Sequence, residues 1–258
     1  PLPEKDLFRQ LLADPKEPRF QVSVLRADSD VHYSKVGAVG FGENFGIARW
    51  PGRDANEAWQ LNLSAAVFAQ FDLDAPSDEL VNADYIVGFP VSYRNDRWSV
   101  RVRFYHQSSH LGDEYLLRLH PDRVNLSFES VETLVSYEWE RWRVYGGGEY
   151  LVAREPKELD PGILHVGTEY RAGAPVLHIG TLGAAWPVGG LDVKSRKQHD
   201  WDAEWSLKLG VELRPQGEAG RSERYWNLLL ELYEGPSPYG QFYTYEIRYW
   251  GLGLVLHL

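Results

Sequence analysis

The chain has 258 residues, of which 43% are apolar, and its formal net charge is −10. An acidic chain of this kind lacks the basic surface that nucleic acids require, so no nucleic-acid partner is expected. The absence of cysteine excludes disulfides and thiolate sites, and no window approaches the roughly 18 to 20 apolar residues of a membrane-spanning helix.

Residues 1–19 differ from the rest of the chain. Asp6–Leu12 has the pattern of one or two amphipathic helical turns, and Pro15 and Pro18 interrupt any helix that follows. We interpret residues 1–19 as a short N-terminal arm. Residues 20–258 form one domain, because neither a linker nor a repeat of fixed period divides them.

From Phe20 onward, apolar and polar residues alternate. The clearest example is Trp201–Leu213, in which every odd position is apolar and every even position except Gly210 carries a polar side chain. Successive residues of a β-strand point to opposite faces, so this pattern predicts strands with one apolar and one charged face. About twelve such strands follow one another, near 20–27, 36–50, 57–72, 82–94, 97–108, 123–139, 141–153, 162–172, 176–187, 200–214, 222–234 and 242–258.

The length and chemistry of these strands favour a membrane barrel over a soluble β-sandwich. Sandwich strands usually have about 5 to 6 residues, whereas the longest segments here exceed the roughly 9 to 11 that cross a bilayer. The second face carries charges such as Arg101, Arg103 and Glu204, which a hydrated lumen tolerates better than a dry core. The 10 Trp and 15 Tyr suit interfacial aromatic girdles. We predict an all-β, antiparallel transmembrane β-barrel of about twelve strands in a bacterial outer membrane.

The connections predict the orientation of this porin-like barrel. Tight turns are expected at Asn95-Asp96, Glu140-Arg141 and Gly173–Pro175, and longer loops at 28–35, 109–122, 155–161 and 188–199. Bacterial barrels place short turns on the periplasmic side and long loops outside. An even number of strands puts both termini on the short-turn side, so residues 1–19 are expected to be a periplasmic arm. Pro90 lies within a predicted strand and predicts a bulge.

One strand carries residues with catalytic chemistry. In Arg97–Ser108, the apolar face of Trp98, Val100, Val102 and Phe104 continues into His106 and Ser108. A regular strand therefore directs both residues outward, towards lipid, where polar groups have no hydrogen-bond partners. A serine hydroxyl attacks an ester when a neighbouring imidazole accepts its proton and a third group orients that imidazole. His106 and Ser108 are thus a candidate base and nucleophile.

This His-x-Ser pair on the outer face of a barrel strand resembles outer-membrane phospholipase A and the outer-membrane lipid A deacylases. The resemblance implies that His106 is the base, that Ser108 is the nucleophile, and that an Asn or Glu on the adjacent strand orients the histidine. Asn125 and Glu129 are the candidates there, and we take Glu129 as the third residue. However, the more apolar face of that strand is formed by Val124, Leu126 and Phe128, and this face is expected to be the outer one. The alternation of side chains then predicts that Asn125 and Glu129 point inward unless a bulge intervenes.

A second resemblance covers more of the chain. The segments LLADPKEPRF and FYHQSSHLGDEYL are similar to a bacterial family of uncharacterised barrel proteins known only as a domain of unknown function. This resemblance implies the barrel fold and an exported location. It implies no activity.

Simpler interpretations exist for each polar cluster. His106 and Ser108 also suit a barrel rim, where the chain leaves lipid for water. Asp113 and Glu114 are a candidate calcium site, although calcium prefers six or more oxygen ligands. His199, Asp200 and Asp202 are more typical of a surface loop than of a metal site.

Two classes of function therefore remain. The first is a lipid acyl-ester hydrolase that acts on phospholipid or lipid A through His106 and Ser108, with calcium as a candidate cofactor. The second is a non-enzymatic structural, scaffolding or narrow-channel barrel. Expected partners are membrane lipids or lipopolysaccharide and a periplasmic or outer-membrane protein.

Overall fold

Twelve long antiparallel strands close into a barrel in the computed structural model, which describes residues 2–3, 5–29, 34–180, 183–214 and 224–258. The strands of the wall are β1 (Phe20–Ser29), β2 (Lys35–Pro51), β3 (Glu57–Asp72), β4 (Glu79–Asn95), β5 (Trp98–Leu111), β6 (Ser127–Trp139), β7 (Trp142–Glu155), β8 (Gly162–Arg171), β10 (Ala184–Arg196), β11 (Ala203–Arg214), β12 (Tyr225–Pro236) and β13 (Glu246–His257). A two-residue strand, β9 (Leu177–His178), pairs with the start of β10. The predicted fold class and strand number are confirmed.

The barrel is closed by pairing between its first and last strands. Phe20 of β1 lies opposite Leu256 of β13, and the pairing continues along the whole of β1. Closure leaves no unpaired sheet edge along this seam, as a membrane-spanning sheet requires. Helix α1 (Asp113–Leu119) lies in the connection between β5 and β6. Among the residues described, no helix has the length and apolar character needed to span a membrane.

The alternation predicted from the sequence follows the two faces of the wall. In β5, Arg101 and Arg103 are buried inside the barrel, whereas Val102 and Phe104 are exposed on the outside. The outer face is therefore apolar and the inner face is polar, which is the arrangement of a transmembrane barrel.

Two local predictions are wrong. The segment 188–199 was expected to be a loop, but β10 extends through Arg196. A tight turn was expected at Gly173–Pro175, but the connection between β8 and β10 is longer than a tight turn. Charged residues of β10 resemble a loop in the sequence, yet they face partners in the lumen: Asp192 receives a hydrogen bond from Tyr145, and Lys194 bonds to Asp14.

Pro90 does not produce a bulge. The register between β4 and its neighbours is the same on both sides of this residue, with Val91 opposite Leu61 and Gly88 opposite Ser64. Pro90 itself lies opposite Arg103 of β5. The missing amide hydrogen thus interrupts ladder pairing between β3 and β4 without shifting it.

Residues 5–19 of the N-terminal arm lie inside the barrel, a position that the sequence did not predict. Phe8, Leu11 and Leu12 are at most 2% exposed. The ring of Phe8 lies between two guanidinium groups of the wall, 4.8 Å from that of Arg101 and 4.6 Å from that of Arg143. We call residues 5–19 the plug, because they occupy the lumen of the barrel.

Charged groups of the plug pair with charged groups of the wall. Arg101 bonds to Glu17 of the plug at 2.6 Å and to Glu132 of β6 at 3.0 Å, and all three side chains are buried. The amide of Leu12 donates to Glu169 at 2.7 Å. A buried charge is costly unless it is paired and hydrogen-bonded. The plug therefore supplies partners for charged groups of the inner wall that water would otherwise have to solvate.

We expect Arg101→Ala to lower the free energy of unfolding by about 3 to 5 kcal/mol, because it leaves buried carboxylates without their cation. Unfolding in urea, followed by the shift between folded and unfolded bands on unheated gels, measures this change. Arg248→Ala is the matched control, since Arg248 pairs with Glu234 on the exposed surface and surface pairs contribute little. Equal stability of both variants would contradict a stabilising role for the plug contacts.

Removing residues 1–17 is expected to convert a closed barrel into a conducting one. The plug fills the lumen, and the inner wall that it leaves behind is polar and would hydrate. Single-channel recordings in planar bilayers should detect little conductance for the full chain and discrete openings for the folded deletion variant. Indistinguishable conductance of the two proteins would show that wall side chains alone close the lumen.

Candidate functional site

The last residues of β5 alternate between the two sides of the wall. Tyr105, Gln107 and Ser109 are buried inside the barrel, whereas His106 and Ser108 lie on the outer face and are partly exposed. The predicted outward direction of His106 and Ser108 is confirmed. Both residues lie near the end of the barrel that carries the β5–β6 connection and α1.

Strand pairing brings an acidic residue beside His106. Glu129 of β6 lies directly opposite His106, and Ser127 lies directly opposite Ser108. The Nδ1 atom of His106 is 2.9 Å from Oε1 of Glu129. The two side chains are 41% and 39% exposed, so the pair lies on the outer surface.

The predicted inward direction of Glu129 is wrong. The pairing of β6 with β5 is regular here, and the irregularity in its pairing with β7, between Glu129 and Ser130, adds a residue to β7 and not to β6. The inward residues at this end are apolar: Leu126 and Phe128 pack inside the barrel, and the ring of Phe128 meets that of Tyr105 at 6.0 Å. Because the inward residues of this segment are apolar, hydropathy does not reveal which face of β6 is outside. Asn125 precedes β6 and is exposed in the connection.

The arrangement leaves one imidazole nitrogen free for proton transfer. Nδ1 of His106 is engaged by Glu129, and among the described residues Nε2 has no hydrogen-bond partner. Strand geometry separates the Cα atoms of His106 and Ser108 by roughly 6.6 Å. Within the described part of the chain, no hydrogen bond joins the Ser108 hydroxyl to His106, and catalytic hydrogen bonds often tighten only when substrate binds.

A second histidine shares this face and was missed by the sequence analysis. His110 is exposed, two residues beyond Ser108, and its ring meets Tyr85 edge to face at 5.7 Å. The alternation of side chains that directs His106 and Ser108 outward continues to the next position on that face of β5, which is His110. An aromatic contact does not orient an imidazole for proton transfer as a carboxylate does, so His106 is the better candidate base.

A polar network on the inner side holds this part of β5 in place. The hydroxyl of Ser109 donates to Asp84 of β4 at 2.5 Å, and the amide of Gly240, in the β12–β13 connection, donates to the same carboxylate at 3.1 Å. Lys16 of the plug also bonds to Asp84. The site therefore rests on a wall that is fixed from within by three separate segments.

The two acidic residues that were candidates for calcium binding lie at the start of α1. Asp113 and Glu114 are exposed in the first turn of α1, and Glu114 accepts a hydrogen bond from Ser77 at 2.9 Å. Two adjacent carboxylates fall short of the six to eight oxygens that calcium prefers. His199, Asp200 and Asp202 lie in the connection between β10 and β11, as expected for a surface loop.

The described residues contain one buried group with metal-ligand chemistry, which consists of Asp14, His165 and Asp192. Its charges are already paired within the protein. Asp14 bonds to the ammonium of Lys194 at 2.8 Å, and His165 bonds to Asp192 at 2.6 Å. An ion at this position would compete with Lys194, so the cluster is better explained as a link between the plug and the wall.

Comparison with solved structures places the fold among outer-membrane barrels. Outer membrane phospholipase A from Escherichia coli is similar with a TM-score of 0.60 at 15% identity, over 98% of this chain and 95% of that chain. The outer membrane phospholipase dimer of Salmonella typhi with bound calcium has a TM-score of 0.59 at 13% identity, over 95% and 93% of the two chains. At these identities the likeness extends to the fold alone.

Comparison with the curated proteins found no match. A family model described as "protein of unknown function (DUF1207)" matches residues 1–258. The chain therefore belongs to the DUF1207 family.

Proposed function

We propose that this chain is an integral protein of the bacterial outer membrane that hydrolyses an acyl ester of a membrane lipid, either a phospholipid or lipid A. The observation that carries the proposal is the pair of His106 and Glu129 beside Ser108 on the outward face of the wall. Charged and polar groups are costly against lipid and usually mark a functional site there. A barrel rim alone does not require a carboxylate aligned on an imidazole.

The proposed reaction proceeds through an acyl-serine. Nε2 of His106 accepts the proton of the Ser108 hydroxyl as Oγ attacks the ester carbonyl carbon, and Glu129 stabilises the imidazolium that forms. The bond to the alcohol oxygen then breaks, and His106 returns the proton to that oxygen. In the second half of the reaction, water deprotonated by His106 attacks the acyl-serine, the bond to Oγ of Ser108 breaks, and His106 returns the proton to Oγ. The products are a free fatty acid and the deacylated lipid.

The position of the site supports an outer-leaflet source for the substrate. Bacterial barrels direct their longer loops outward, and His106 and Ser108 lie at the end of the barrel that carries α1. The substrate would therefore come from the outer leaflet, which favours lipopolysaccharide or phospholipid that has reached that leaflet. Assays with and without calcium are part of the test, because a similar solved structure holds calcium.

The second candidate function is a non-enzymatic structural or scaffolding barrel that engages a periplasmic or outer-membrane protein. The plug favours this alternative over a narrow channel, because buried residues of the plug fill the lumen. A scaffolding protein would not need the His106–Glu129 pair. Hydrolysis of lipid esters by the wild type and its loss in variants of Ser108 and Glu129 therefore separate the two candidate functions.

Ser108→Ala is expected to reduce fatty-acid release to background, because the proposed nucleophile is lost. Ser127→Ala is the matched control, since Ser127 lies opposite Ser108 on the neighbouring strand and is also partly exposed. Release of fatty acid from phospholipid and lipid A in detergent, with and without calcium, measures both. Equal activity of wild type and Ser108→Ala would reject the mechanism, as would an inactive wild type in every arm.

Glu129→Gln is expected to lower kcat by at least about tenfold with little change in KM, because Glu129 acts on the imidazolium and not on the bound lipid. In the Ser108→Ala background the same substitution should cause no further loss. Single-turnover and steady-state kinetics on one lipid substrate measure both effects. A change confined to KM would instead assign Glu129 to lipid binding.

A further inference from the structure

An apolar groove crosses the outer wall and ends at His106. Its volume is about 470 Å³, and it passes over β1, β2, β3 and β4 before it reaches β5. Neighbouring strands lie roughly 4.8 Å apart, so four steps between strands give a length of roughly 19 Å. His106 and Tyr85 are the two polar residues among those that line it.

Small residues form the floor of the groove. Where β2 and β3 meet, Ala65 is directed outward, whereas Gly42 and Ala66 are buried and lie opposite each other. A Cβ atom on Gly42 would collide with that of Ala66 on the inner side of the wall. The side chain that β3 presents to the groove at this point is therefore the small one of Ala65. Phe41 and Phe45 project beside the floor and are more than half exposed, so they form a raised apolar border.

We propose that this groove holds one acyl chain of the substrate lipid and so directs its ester carbonyl to His106 and Ser108. The proposal rests on the function proposed above and names how the substrate is recognised. An alkyl chain fits because the lining is apolar along its length and because the wall faces lipid. The groove opens on the surface that the membrane covers, so a lipid can enter it sideways from the bilayer.

The groove also implies a substrate preference. A chain long enough to lie from β5 towards β1 buries many methylene groups, and each buried methylene favours binding. A short chain occupies only the end of the groove near His106 and gains little. Esters of long-chain fatty acids are therefore the preferred substrates, and the headgroup contributes less to recognition than the chain.

Ala65→Trp tests the proposal by filling the groove. The ratio of kcat/KM for palmitoyl over butyryl esters should fall at least about tenfold, and retention of phospholipid by the purified barrel, measured by native mass spectrometry, should fall in parallel. Ala203→Trp is the matched control, because Ala203 is an exposed alanine at the start of β11, outside the groove. Val67→Trp, which also lines the groove, serves as the second variant if Ala65→Trp does not fold.

The two readouts separate the groove from the proposed hydrolase. Unchanged lipid retention and chain-length preference in both groove variants would overturn the groove, even if Ser108→Ala abolishes activity. Equal loss of retention in Ala203→Trp would also overturn it. If the wild type releases no fatty acid but retains lipid that Ala65→Trp loses, the groove stands as a lipid site and the proposed function fails.

Discussion

The buried guanidinium of Arg101 joins the two parts of this molecule. It bonds to Glu17 of the plug and to Glu132 of the wall, and all three groups are removed from solvent. Without the plug, the inner wall would present charges to an open lumen that only water could solvate. With the plug in place, those charges are paired within the protein. The N-terminal segment is therefore a structural part of the barrel, although it contributes no strand.

Because the plug occupies the lumen, the accessible surface of this molecule is the outside of the barrel. The plug and the inward side chains occupy the interior, so the outer face of the wall is the surface that other molecules can reach. The outer face of β5 carries His106 and Ser108 at that surface, and the register of β6 adds Glu129 beside them. Polar groups on a lipid-facing surface are energetically costly and usually mark a functional site. The hydrogen bond between His106 and Glu129 is the feature of this cluster that favours a functional role.

The sequence predicted the features that depend on local alternation. It predicted the barrel, the strand number and the outward direction of His106 and Ser108, because the outer face of β5 is uniformly apolar up to Phe104. It failed for β10, where inward charges imitate a loop. It also failed for the plug, whose partners are distant in the chain: Glu17 and Arg101 are 84 residues apart, and Leu12 and Glu169 are 157 apart. Such complementarity exists only after the barrel has closed.

The failure at Glu129 shows how the site depends on packing across the wall. A shift of one residue in β6 would turn Glu129 into the lumen and Phe128 out, because strand side chains alternate with a period of two. The apolar cluster of Leu126, Leu151, Leu159 and Ile163 lies inside the barrel at this height, and Phe128 packs against it. Burial of Phe128 opposes that shift. The inner apolar cluster therefore fixes the direction of the outer carboxylate, so the residues that misled the sequence analysis are those that place Glu129 beside His106.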